Sequence, residues 1–228
     1  ILVFGILLYI PWMLGNLNSG ALWLALPFAI ANLLLAVNAL TTAINNWQRS
    51  VPPPRLLPPG EEPGVIAIIP TYGEPVWMVR NTAVSTLEQD WPLAQLCLVV
   101  SDDAHSAAIA EMTARLRDDY PGATILYHEP PRHGSPERPG DAKAGNLNSA
   151  LAMAYRHCPH ATVIETRDAD DEVGDRQFLR RCVAELFSDD RIAYVQTIKD
   201  ARVSPGDPFG NREWNFYHGL MFGKHAAK

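Results

Sequence analysis

Three carboxylates, Asp168, Asp170 and Asp171, close the stretch Val163-Ile-Glu-Thr-Arg-Asp-Ala-Asp-Asp171. The stretch opens apolar, as a buried strand does, so its acids fall at a strand's carboxyl end. In open α/β sheets ligands sit just beyond those ends. Carboxylates crowded there repel one another unless a cation lies among them. Hard divalent ions such as Mg2+ take oxygen ligands, usually a carboxylate or two together with substrate phosphates. The chemistry open to Asp168-Ala-Asp170 is therefore a metal-bridged grip on a diphosphate. The structural alternative is an acidic turn that caps the helix beginning near Asp175.

A second acidic pair, Asp102-Asp103, follows the apolar run Leu96-Cys-Leu-Val-Val100. No Gly-x-Gly-x-x-Gly follows the first strand and no Gly-x-x-x-x-Gly-Lys-Ser/Thr occurs, which argues against a dinucleotide fold and against a P-loop. Phosphates would need another holder, and a cation on carboxylates is one.

These acids need a sheet to position them. Val65-Ile-Ala-Ile-Ile69 is a continuous β-branched run, typical of a strand covered on both faces, and Pro70-Thr-Tyr-Gly-Glu-Pro75 ends it. Helical spacing follows over about 76–89, then strands at 96–100, 124–127 and 161–166 alternate with helices at 106–119, 142–157 and 175–187. Ser106 is placed to cap the second of these helices. Ile192-Ala-Tyr-Val-Gln196 reads as a fifth strand. Strands alternating with helices predict a mostly parallel sheet with right-handed crossovers.

The chain has 228 residues, a net charge of -6 and 47% hydrophobic residues. The negative charge argues against a nucleic-acid partner. Cys97, Cys158 and Cys182 form no Cys-x-x-Cys, so reduced thiols in a cytosolic domain are expected. The chain opens on Ile1 rather than Met and stops at Lys228, which suggests a piece of a longer protein.

Residues 21–44 are almost wholly apolar and uncharged, about the length that crosses a bilayer. Residues 1–14 are apolar but fewer, and Gly15-Asn-Leu-Asn-Ser-Gly20 reads as a turn, so 1–47 reads as a transmembrane helical hairpin with a shortened first member. A buried core helix is the competing reading. A signal peptide is not supported, because the start is not basic and the second run is too long. Asn32, Asn38, Asn45 and Asn46 suit helix-to-helix hydrogen bonds, and Trp47 suits the interface. Arg49 and Arg55 follow the second span, which puts the rest of the chain on the cytoplasmic side. Six prolines within 48–64 mark a stiff linker, and 65–228 form the remaining domain.

Five motifs in order, Ile69-Pro-Thr-Tyr-Gly-Glu-Pro75, Asp102-Asp103, Lys143-Ala-Gly-Asn-Leu-Asn148, Asp168-Ala-Asp170 and Val195-Gln-Thr197, resemble family 2 glycosyltransferases. The likeness is closest to the membrane-embedded cellulose-synthase-like enzymes and covers about 65–222. It implies a GT-A fold, a Rossmann-like, mostly parallel sheet with helices on both faces. By position it implies that Thr71 and Glu74 contact uridine and that Asp102 or Asp103 meets the uracil or ribose edge. Lys143 would lie near the diphosphate or sugar with Asn146 nearby, and Asp168 and Asp170 would hold Mg2+ or Mn2+, Asp170 as the direct ligand. The activity implied is an inverting, metal-dependent transfer of a hexose from a nucleotide sugar, UDP-glucose above all. The acceptor is a glycan or lipid-linked, and the setting is the cytoplasmic face of a multi-pass protein of the cell (inner) membrane.

Elementary chemistry suits those roles. A carboxylate accepting from the imide N–H of uracil distinguishes it from cytosine. Lysine is a point charge suited to phosphate. A divalent ion neutralises charge on a departing diphosphate. The chain departs from the family pattern at Gly73, where Asn is frequent, and at Ala104, where Gly is usual; Asp171 is an extra acid and Arg167 directly precedes the acidic motif. The family's general base, in a Thr-Glu-Asp-like motif, and its acceptor-holding Gln-x-x-Arg-Trp-like motif are expected past Lys228.

Plainer readings stand beside these. Thr71 and Glu74 could shape a turn, Asp102-Asp103 could cap a helix, and Lys143 could be solvated. His157 and His160 fit a loop better than a zinc site, and His128 and His133 fit solvated positions. The aromatic-rich residues 207–222 fit a helix packed on the domain or lying at a membrane surface. Two rival functions remain open. One is a Mg2+-dependent phosphatase or phosphotransferase with an Asp-x-Asp nucleophile, although that motif usually sits on the first strand, before Gly-Thr. The other is a non-catalytic nucleotide-sugar-binding module.

Overall fold

The computed structural model describes residues 2–45, 55–197 and 199. The aromatic-rich stretch 207–222 and residues 46–54, which include Trp47, Arg49 and much of the proline run, lie outside the described residues.

β1 (Gly64–Thr71) and β2 (Leu96–Asp102) are buried along their whole lengths. β3 (Thr124–His128) pairs with β2, and β4 (Ala161–Thr166) pairs with β1, giving the order β3-β2-β1-β4 with every pair parallel. Alternate residues of the two central strands face opposite ways, which sorts their apolar side chains into two cores. Val65, Ala67, Ile69, Leu96, Leu98 and Val100 pack with Val79, Ala83 and Leu87 of α3 (Val76–Leu87), Ile109, Met112 and Leu116 of α4 (Ala107–Asp119), and Leu179 and Val183 of α6 (Phe178–Leu186). Ile66, Ile68, Cys97 and Val99 pack with Ala150, Met153, Ala154 and Cys158 at the end of α5 (Ala142–His157). Helices thus cover both faces, as a parallel sheet requires.

The chain first adds strands on one side of β1, then crosses through α5 and adds β4 on the other side. The strand order therefore reverses between β1 and β4, where ligands bind in sheets of this kind.

Residues 55–63, the end of the expected linker, run along the domain rather than away from it. Leu57 is buried, and its backbone exchanges hydrogen bonds with Arg180 of α6. The Arg180 guanidinium also reaches Glu62 at 2.5 Å and Asp90 at 3.0 Å. The expected fifth strand at 192–196 is not a strand: those residues join no ladder, and Tyr194 is 71% exposed. β propensity expresses a fit to a half-buried pleated surface rather than a backbone preference, and among the described residues Tyr194 is left largely exposed rather than packed on such a surface.

In the N-terminal unit, α1 (Leu2–Gly15) and α2 (Leu22–Asn45) are joined by a short turn in which Asn18 accepts from Gly20 N at 2.9 Å. Tyr9 donates to Asn32 Oδ1 at 3.0 Å across the two helices, while the Asn32 amide donates to Phe28 O at 2.9 Å. Among the described residues one helix, Ser19–Thr41, is long and apolar enough to cross a bilayer, with a mean hydropathy of 2.0; α1 is shorter.

Asp102 ends β2 with no exposed surface, and its carboxylate accepts from Ala104 N at 2.9 Å and Ser106 N at 2.6 Å. It thereby caps α4, a task that the Ser106 side chain does not perform. Tyr127 of β3 also donates to it at 3.2 Å, and burial together with the Asp102 charge pushes the Tyr127 hydroxyl pKa up. Replacing Asp102 by Ala removes the acceptor from two partly exposed amides at the start of α4, so a loss of about 1–2 kcal/mol is expected in urea unfolding at neutral pH.

Candidate active site

The acidic loop after β4 is built before it is charged. Arg167 N still bonds Ile68 O at 3.0 Å, which carries the β4 pairing one residue past the strand. The next residues are tied to α3: Thr82 donates to Ala169 O at 2.8 Å, Ser85 accepts from Val173 N at 2.9 Å, and Asn81 reaches Glu172 at 3.4 Å. From behind, the Arg167 side chain donates to Asp171 O at 3.2 Å, pairs with Glu165 and lies over the Phe178 ring at 5.0 Å. Burial lowers the Arg167 pKa to about 10, opposed by the nearby Asp171 charge, so the guanidinium stays charged at neutral pH. So braced, Asp168, Asp170 and Asp171 bring ligand oxygens within 4.8 Å of one another, with Asp170 the exposed member. Among the described residues no protein donor reaches the Asp170 carboxylate.

The end of β1 faces the same place. Glu74 Oε2 accepts from Thr71 Oγ1 at 2.6 Å and from Tyr72 N at 2.5 Å, and Gly73 supplies the left-handed φ of 86° that lets the loop fold back. Burial pushes the Glu74 carboxyl up, but these hydrogen bonds outweigh it and hold its pKa low. The Asp168 charge opposes them, which marks the two acids as electrostatic neighbours.

The third contribution comes from the start of α5. Lys143 forms an ion pair with Asp168. Asn146, only 1% exposed, points inward and donates to Ser101 O at 3.1 Å, pinning α5 to β2. Asp103, whose amide bonds Thr71 O at 2.9 Å, receives two bonds from Arg138, at 2.6 and 2.9 Å. Burial raises the Asp103 carboxyl, but the Arg138 hydrogen bonds, helped by Asn146, outweigh it and hold its pKa below the usual range. His133 Nε2 lies 3.9 Å from Asp103, and its ring stands edge-on to Tyr72 with centroids 6.2 Å apart. His128 is half-buried rather than solvated and bonds Ser149 at 2.8 Å.

The structure therefore gathers Asp168, Asp170, Lys143 and the Thr71–Glu74 pair at the β1/β4 reversal. Asp102 and Asn146 are engaged inside the domain, and Asp103 is matched by Arg138. Sequence reasoning had not singled out Arg138, whose side chain is 1% exposed and which also donates to Pro131 O at 2.6 Å and Ala142 O at 2.7 Å. Nor had it singled out Asn81, Thr82 and Ser85, although polar residues at helical spacing on an otherwise apolar helix were a readable signal.

No family model matches the chain. A Komagataeibacter xylinus relative named as a cellulose synthase is 30% identical over 93% of this chain and 14% of its own length. The cellulose synthase catalytic subunit [UDP-forming] of Pseudomonas fluorescens (strain SBW25) is 27% identical over 83% of this chain and 24% of its own length. The chain belongs to the cellulose-synthase-like family 2 glycosyltransferases. It spans between about a seventh and a quarter of the length of these curated relatives. Among solved structures, the mannosyltransferase of Pyrobaculum calidifontis in complex with GDP-Man and Mn2+ is 26% identical, with a TM-score of 0.49 over 70% of this chain and 44% of that one.

The Lys143-Ala-Gly-Asn-Leu-Asn148 block of this cellulose-synthase-like chain has a steric reason for its glycine. A Cβ on Gly145 would stand 2.1 Å from Gly140 O and 2.7 Å from Arg138 Nε. Asn148 closes the same turn by donating to Pro139 O at 2.8 Å.

Removing Arg138 while Asp103 stays buried leaves a charge without its partner, at a cost of about 3–5 kcal/mol. Because the Asp103 pKa is lowered by folding, the stability it contributes is complete above the unfolded carboxyl value, about 4. That stability is lost as pH falls through the folded value. Arg138→Met should therefore unfold at lower urea concentration than wild type at pH 7, with the gap narrowing below about pH 4.

Proposed function

We propose that this chain forms the donor-binding part of an inverting hexosyltransferase that takes its sugar from UDP-glucose and passes it to a glycan or lipid-linked acceptor. The observation that carries this reading is the triad Asp168, Asp170 and Asp171, with oxygens within 4.8 Å and Lys143 beside it, at the reversal of strand order. The kinship with cellulose synthases supports it.

The donor set suits a hard divalent cation, being all carboxylate oxygen. Asp168 and Asp170 would hold Mg2+ or Mn2+, which supplies Lewis-acid stabilisation of the departing diphosphate. Lys143 adds a positive charge on the same side. Glu74, fixed by the buried Thr71 hydroxyl, stands at the rim that would meet the uridine. Asp103 with Arg138 builds the wall behind the base, and Asp102 holds that wall by fixing the start of α4. The acceptor hydroxyl attacks the anomeric carbon from the side opposite the diphosphate, and its proton needs a base. The helix Ser19–Thr41 supports a place in the cell (inner) membrane, and Arg49 and Arg55 after it support a cytoplasmic side for the α/β domain.

Asp170→Asn in the full-length protein should lower UDP release from UDP-glucose by at least about 10³-fold, the scale of several kcal/mol of lost leaving-group stabilisation. Chelation with EDTA should do the same to wild type, reversibly with Mn2+ or Mg2+. Full activity in the Asp170→Asn protein rejects the assignment.

A further inference from the structure

Lys143 stands in the first turn of α5, beside the positive end of the helix dipole. A cation there is at the wrong end of a helix. Such local violations persist where another interaction compensates, and functional sites are where they concentrate. The compensation here is Asp168, whose Oδ1 accepts from Lys143 Nζ.

Packing does not force this contact, because the Lys143 side chain is 53% exposed and that of Asp168 39%. The four-carbon stem of a lysine can release one partner and reach another. Asp168 is also one of three carboxylates with oxygens within 4.8 Å, a cluster that repels itself when nothing positive is present. An ammonium on Asp168 and a divalent ion on the same carboxylate are like charges competing for one set of oxygens.

We infer that Lys143 is the resident counter-ion of the acidic triad. Its ammonium holds the triad together while no divalent ion is bound, and yields Asp168 when the ion enters. Once displaced, it is free to turn towards the diphosphate. The inference rests on the metal reading proposed above and adds an order to it: the cation drives Lys143 off, and a nucleoside diphosphate, by drawing Lys143 away, strengthens cation binding. Linkage makes the two effects reciprocal.

The test measures Mn2+ binding to the whole chain in detergent without nucleotide, from the loss of the free-ion electron paramagnetic resonance signal. Lys143→Met should bind Mn2+ about 5–10-fold more tightly than wild type, at the low end of ordinary coupling between sites. Lys143→Arg, which keeps the charge, should return affinity towards wild type. Adding UDP should tighten Mn2+ binding more in wild type than in Lys143→Met. Asp170→Asn should weaken binding in either background, which ties the signal to this triad. Unchanged or weaker Mn2+ binding by Lys143→Met, with wild type binding normally, overturns the counter-ion role and leaves the metal reading standing. No Mn2+ binding by any of these proteins, with or without UDP, sinks both.

Discussion

Acidic groups gathered along the carboxyl edge of one sheet repel each other, and much of the domain's polar construction answers that repulsion. Asp102, Asp103, Asp168, Asp170, Asp171 and Glu74 all lie on β1, β2 or β4 or on the loops that follow them. At an effective dielectric near 20, two unit charges about 4 Å apart interact by about 4 kcal/mol, a large share of a domain's whole stability. Such a set survives folding only if nearly every member has a local answer. The answers differ in kind. Asp102 takes backbone amides and a tyrosine hydroxyl, Glu74 takes a threonine hydroxyl and an amide, Asp103 takes a buried arginine, and Asp168 takes a half-exposed lysine.

That gradation separates construction from chemistry. The acid with the most deeply fixed partners, Asp102, has no exposed surface and spends its oxygens on the start of α4. Asp103 is matched by a guanidinium whose other bonds run to backbone carbonyls, so neither partner moves alone. Across the β1/β4 reversal the partners become looser. Asp168 is held by a flexible ammonium, and Asp170 is exposed. The loop that carries these acids is nevertheless rigid, because α3 and Arg167 hold its backbone rather than its carboxylates. Fixing the frame while leaving the side-chain oxygens available is what a cation site requires.

Much of this architecture was legible in the sequence, for reasons that can be named. β1 and β2 are buried on both faces, so their apolar runs are unbroken, and the turn-forming residues that follow mark their ends. α5 was read over its observed bounds because Cys158-Pro159 stops it and the polar loop 128–141 precedes it. The stretch 192–196 misled because its residue types suit a sheet that does not accept them there. Within the site, the acids and Lys143 were visible as motifs, yet sequence spacing says nothing of which acid turns inward. Asp102 and Asp103 are adjacent, and only the strand register, with Thr71 opposite Asp102, decides that one is sealed and the other meets Arg138. Arg138 itself, in a loop of prolines and glycines, carried no mark of its burial.

The loop and the helix start from Arg138 to Asn148 then have a role that no single residue reveals. α5 is the crossover that carries the chain from one side of β1 to the other, so its first turn must pass the edge where the acids stand. Arg138 grips Asp103 and, through Ala142 O, the residue immediately before Lys143. Gly140 and Gly145 approach too closely for any side chain on Gly145, and Ala142 takes a φ of 45°, which costs an alanine on the order of 1 kcal/mol. Steric closeness, backbone strain and a buried ion pair are spent in one turn. Their common product is a lysine held against the acid triad from the side of Asp103. The wall and the triad are thus joined through one short stretch of backbone, while the half-exposed Lys143 side chain stays flexible.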